Sequence, residues 1–131
     1  KLRIIVNHLP FPEWDGKPEE LRAALKPVSV HKNVYIKVSD VVRRVNGKYV
    51  EDVEYYRPAL DVLFDLFGPD RVVHATNWPV SERVAPYAVV QKIVADYFGS
   101  KGRQVEERYF WRNSHAAYRW LARGTAAHLK P

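Results

Sequence analysis

Three short apolar runs alternate along the chain with longer stretches of helical periodicity. The runs Leu2 to His8, Val34 to Ser39 and Arg71 to Thr76 are rich in β-branched residues and of strand length. Between them, Glu19 to Leu25 predicts a short helix after Pro18. Pro58 to Phe67 predicts a second, with Pro at its start, Gly68-Pro69 as its stop, and Leu60, Leu63, Phe64 and Phe67 at helical spacing. Pro86 opens a third, whose Val89, Val90, Ile93, Val94 and Tyr97 form one apolar stripe before Gly99. A last helix is predicted from about Val105 to Leu121, followed by a frayed tail over residues 124–131.

A β-α-β-α-β-α-α order predicts an α/β fold with parallel strands, because only crossover connections can join consecutive parallel strands. Three parallel strands leave two edges with unpaired backbone groups. The expectation is that the rest of a barrel, or a second copy of the chain, covers them.

Alternation within the middle run sorts its side chains. Val34, Ile36 and Val38 share a purely aliphatic face that should meet the helices, while Tyr35, Lys37 and Ser39 share the other. A polar Lys37 and Ser39 on what would be a barrel interior are either functional or part of a buried polar network. If Asn77 points the same way, Val73 and Ala75 do too, and His74 lies in the helix layer as a structural histidine. The strand ends carry the candidate chemistry: His8, Ser39 with Asp40, and Asn77 with Trp78.

Composition narrows the classes. A chain of 131 residues with 47% hydrophobic and 27% charged residues suits one folded domain. The absence of Met, and an opening inside an apolar run, suggest a piece of something longer. With no cysteine, any metal must use His and carboxylate ligands. No run approaches the roughly 20 apolar residues of a membrane span, and no signal peptide is evident, so a soluble, cytoplasmic protein is expected. The net charge of +6 is scattered, with Arg43 and Arg44 near Asp40, Glu51 and Asp52, which argues against a nucleic-acid partner. The aromatic and basic alternation from Arg108 to Trp120 could stack bases, but packing of a closing helix is the reading preferred.

Four segments together resemble a known family. They are His8-Leu9-Pro10-Phe11-Pro12, Asn33-Val34-Tyr35-Ile36-Lys37-Val38-Ser39, Phe67-Gly68-Pro69-Asp70-Arg71 followed by Ala75-Thr76-Asn77-Trp78-Pro79, and Phe110 to Tyr118 around Asn113. Their order and spacing resemble the C-terminal part of the amidohydrolase-related family, whose members include sugar-lactone and pyrone lactonases and some decarboxylases.

The resemblance implies that residues 1–123 are the last three βα units of a (β/α)8 TIM barrel, incomplete as given. It implies hydrolysis of a lactone or related C–O or C–N bond by an activated water, on a small-molecule substrate that is a lactone or carboxylate. His8 matches a histidine that binds metal or polarises the scissile carbonyl, and Asn77 matches the aspartate that activates water. Lys37, Ser39 and Trp78 would contact substrate, and a divalent metal, Zn or Mn, would belong to the complete protein. Arg71 and Asn113 match scaffold positions.

The sequence departs from the pattern at three places. Ala75-Thr76-Asn77 replaces Gly-Ser-Asp, Pro10 replaces a Gly, and Ser114 replaces an Ala. An amide cannot act as a general base, so a pseudoenzyme or binding protein is the alternative reading.

Overall fold

A computed structural model describes residues 2–8 and 17–120. The turn at Leu9 to Pro12, the expected end of the last helix and the tail lie outside the described residues. Three parallel strands, β1 (Ile4–Val6), β2 (Val34–Val38) and β5 (Val72–His74), form one sheet in the order β1-β2-β5. Helices α1 (Pro18–Ser29) and α2 (Val53–Phe67) make the two crossovers that this parallel order requires. Each strand is shorter than its apolar run.

The register Ile36↔Val72, Lys37↔Val73 and Val38↔His74 places the aliphatic face of β2 as alternation predicts. Val34, Ile36, Val38 and Val72 join Leu21, Leu25, Leu60, Leu63 and Ile93 in one buried cluster between sheet and helices. Complete burial of such a side chain contributes roughly 1.5–3 kcal/mol, so this face is the main source of stability. Val73 is buried but stands outside that cluster, on the face of Lys37.

Two helices run through prolines and beyond the predicted bounds. Helix α2 starts at Val53, five residues before Pro58, because Asp52 caps it by accepting from the Glu54 amide at 3.0 Å. Pro58 lies inside and gives up only one helical hydrogen bond. Helix α1 likewise runs through Pro27 to Ser29. Helix α3 (Tyr87–Ser100) begins after Pro86 as expected, but passes through Gly99.

Two features were not expected. Strands β3 (Arg44–Val45) and β4 (Lys48–Tyr49) form a small antiparallel hairpin after β2. Its turn residues Asn46 and Gly47 have φ of 51° and 79°, the left-handed pair that two-residue hairpins need. The last helix is also not regular: α4 (Arg103–Glu107) leads through a wide π turn at Arg108–Arg112 into α5 (Asn113–Tyr118). Tyr109, in that turn, is buried and its hydroxyl donates to the Val38 carbonyl at 3.1 Å. Asn113 then donates to the carbonyls of Pro69 and Val72 at 2.7 and 2.8 Å. Arg108 to Trp120 is thus a packing segment in its buried part. Among the described residues, no helix is long and apolar enough to cross a membrane.

Candidate active site

Each parallel strand ends in a non-glycine residue with left-handed backbone. His8, Asp40 and Asn77 have φ of 60°, 58° and 61°, and no other strand of the three-stranded sheet exists among the described residues. Such conformations cost on the order of 1 kcal/mol each and tend to gather where function requires a particular side-chain direction. Since β2 lies between β1 and β5, the three ends are neighbours at one end of the sheet.

The structure brings two of the expected residues into contact. His8 Nδ1 lies 2.9 Å from Ser39 Oγ, and Ser39 is buried. With Nδ1 engaged, Nε2 is the ring nitrogen left to face a ligand. The sequence signal for this pair was only that both residues close apolar runs.

Asn77 is set in a tightly bonded turn. Its carbonyl accepts from the Ser81 amide at 3.0 Å, Thr76 Oγ1 accepts from the Trp78 amide at 3.1 Å, and the Trp78–Pro79 peptide is cis. Asn77 makes no side-chain hydrogen bond to His8 or Ser39 among the described residues. Trp78 is 56% exposed, so part of its indole is open to a ligand. Lys37 is placed differently, with Nζ 5.6 Å from the centre of the Tyr118 ring, which itself stacks on Trp120 at 5.6 Å.

His74 belongs to the helix side, as alternation predicts. Its Nε2 lies 3.2 Å from Gln91 Oε1, and its ring packs on Tyr109 and Phe110 at 5.2 and 5.0 Å. Burial lowers its pKa, outweighing the Gln91 hydrogen bond that acts in the other direction. It is a neutral packing residue.

The hairpin borders the site. Arg44 Nε donates to the Val84 carbonyl at 3.0 Å, tying the loop after β2 to the loop after β5. The Tyr56 hydroxyl, donating to Val50 O at 2.7 Å and accepting from the Arg43 amide at 3.1 Å, anchors its base to α2. Sequence reasoning missed this element, although Asn46-Gly47 is a strong hairpin signal.

A cavity of about 240 Å³ lies at the other end of the sheet, lined by Leu2, Arg3, Lys32, Asn33, Tyr35 and Arg119. It shares no residue with the strand ends. The strand ends, by contrast, bring His8, Ser39, Asp40 and Asn77 to one end of the sheet, with His8 and Ser39 in direct contact.

Among the described residues, no group of three or more His, Asp or Glu side chains could hold a metal ion. Three protein ligands are the usual minimum for a catalytic zinc, so these residues alone do not fit one; His8 Nε2 can supply a single donor.

Known proteins resemble this chain over most of its length. The sequence profile of the Amidohydrolase family matches residues 1–120. An L-fucono-1,5-lactonase from Burkholderia multivorans is 29% identical over 122 residues, covering 86% of this chain and 41% of that protein. An L-rhamnono-gamma-lactonase from Scheffersomyces stipitis is 27% identical over 136 residues, covering 89% of this chain and 40% of that protein. The chain thus spans about two fifths of the length of these relatives. A crystal structure of an amidohydrolase from Burkholderia multivorans with bound Zn superposes with a TM-score of 0.78 at 22% identity, covering 91% of this chain and 44% of that one. An amidohydrolase from Bifidobacterium longum subsp. infantis gives 0.65 at 28% identity, covering 90% and 40%. The profile match, over nearly the whole chain, means that this chain belongs to the amidohydrolase family.

Proposed function

We propose that the protein is a lactone hydrolase acting on a small sugar lactone, and that this chain forms the last three βα units of its (β/α)8 barrel. Further strands of the barrel would close the open edges of β1 and β5. The observation that carries the reading is the His8–Ser39 contact at the strand ends, beside a loop that presents Asn77 and Trp78. Two lactonases among the relatives suggest the substrate class.

In this reading the buried Ser39 hydroxyl donates to His8 Nδ1, which leaves the proton on Nε2. That N–H donates to the lactone carbonyl oxygen and stabilises the charge that builds there as water adds. The Asn77 amide orients substrate or water, and the exposed Trp78 indole covers one face of the sugar. Lys37, on the same face of β2 as Ser39, would add a positive charge for a substrate oxygen. A divalent ion in the complete protein would take most of its ligands from outside these residues.

The test is turnover of L-fucono-1,5-lactone and L-rhamnono-γ-lactone by the full-length protein. His8→Asn should lower kcat by about 10²- to 10⁴-fold, and Ser39→Ala by less, with a changed pH profile because the tautomer is released. Absence of turnover on any sugar lactone, with lactones still bound, would favour the second reading. That reading is a binding protein that has lost its chemistry, and the amide at Asn77 is what favours it.

A further inference from the structure

Of the three residues that end the parallel strands, Asp40 has no part in the scheme above. Glycine would hold φ of 58° without cost, whereas an aspartate is strained there by about 1 kcal/mol, yet an aspartate is present. The backbone around it is fastened: Arg43 Nη1 donates to the Asp40 carbonyl at 2.6 Å and to the Val42 carbonyl at 3.1 Å. The side chain is not. Asp40 is half-buried, and its carboxylate has no hydrogen bond or ion pair among the described residues.

Its position is central. Asp40 follows Ser39, the residue that meets His8, and ends the middle strand of the sheet. The register Val38↔His74 brings Asp40 level with Thr76, one residue short of Asn77. The end of the middle strand thus carries a half-buried, unengaged carboxylate, with His8 at the end of one neighbouring strand and, at the end of the other, Asn77, whose amide has no basic oxygen.

We propose that Asp40 is the general base of this site, occupying the middle strand end while the neighbouring strand end carries only the Asn77 amide. The inference rests on the hydrolase reading. A water O–H bond breaks, its proton passes to the Asp40 carboxylate, and its oxygen bonds to the lactone carbonyl carbon. The tetrahedral adduct then breaks its ring C–O bond, and the leaving alkoxide takes the proton back from Asp40. One water is consumed, one hydroxy acid is formed, and Asp40 and His8 end as they began.

Four variants of the full-length protein test this: Asp40→Asn, Asp40→Gly, Asn77→Asp and the Asp40→Asn/Asn77→Asp double change. Asn and Gly both accept left-handed backbone, so the first two should remain folded by circular dichroism and thermal melting. Each should lose about 10²- to 10⁴-fold in kcat and lose the acidic limb of the kcat/KM pH profile. Asn77→Asp alone should not raise turnover, because two carboxylates would then face one site, while the double change should recover part of it. As a readout independent of turnover, removing the Asp40 charge should tighten binding of the anionic aldonate product several-fold by calorimetry.

Asp40→Asn with unchanged kcat and acidic limb would overturn the proposal and leave the hydrolase reading standing. So would a large gain from Asn77→Asp alone, since that means the acid was lost and not moved. If the unmodified protein turns over no sugar lactone, the hydrolase reading falls and takes the role of Asp40 with it.

Discussion

His74 shows how one residue's surroundings decide its chemistry. It belongs to an apolar run as His8 does, but its ring packs on Tyr109 and Phe110 and burial resists its protonation. Its folded pKa is depressed while the unfolded chain titrates near 6.5, so below that pH the unfolded chain binds the proton first. Stability should fall as pH drops below about 6.5 and level off once the native imidazole is also protonated. Thermal melting between pH 7.5 and 5 should show a steeper loss in the native protein than in His74→Gln, and superimposable profiles would refute this. Period-two alternation was enough to assign His74 to the helix side from sequence. It could not reveal the His8–Ser39 contact, which depends on left-handed backbone at His8 that no local pattern signals.

Elements were legible where periodicity was long and illegible where one or two residues decide. The buried face of β2, and the stripe of α3, follow directly from the spacing of their apolar residues. The start of α2 does not, because a proline inside the helix resembles a proline at its start, and the deciding signal was the short cap Asp52. The hairpin is decided by Asn46-Gly47. A Cβ on Gly47 would meet nothing within 4 Å, so any cost of substitution there is conformational. Gly47→Ala should lose about 1 kcal/mol and Gly47→Asn clearly less, since Asn tolerates positive φ. Equal melting temperatures for the two variants would mean that backbone conformation is not what the glycine supplies. The π turn was equally hidden: a single extra residue per turn re-phases the helix so that both Tyr109 and Asn113 reach the sheet.

At the scale of the whole molecule, exposed ion pairs such as Arg22–Asp65 and Arg103–Glu107 contribute little, and order comes from the apolar layer and a few polar anchors. Arg71 is the foremost of these. Its guanidinium donates to the carbonyls of Ser29, His31, Val34, Leu66 and Phe67, joining the end of α1, the start of β2 and the end of α2. Lysine offers a compact charge without the planar fork that spans these oxygens. Arg71→Lys should therefore cost about 3 kcal/mol in urea unfolding, and a loss under about 1 kcal/mol would show that the carbonyls find other partners. The scaffold role was legible in the sequence only through the resemblance, because an arginine beginning a strand has no pattern of its own. The same five contacts imply something about how the molecule opens. The carbonyls that Arg71 holds belong to two segments remote from each other in sequence, so releasing one frees the others, and residues 29–34 and 66–71 should behave as one cooperative unit in amide hydrogen exchange. Their slow amides should exchange with a common free energy close to that of global unfolding, whereas the amides of the hairpin at 44–49 should exchange through smaller, independent openings.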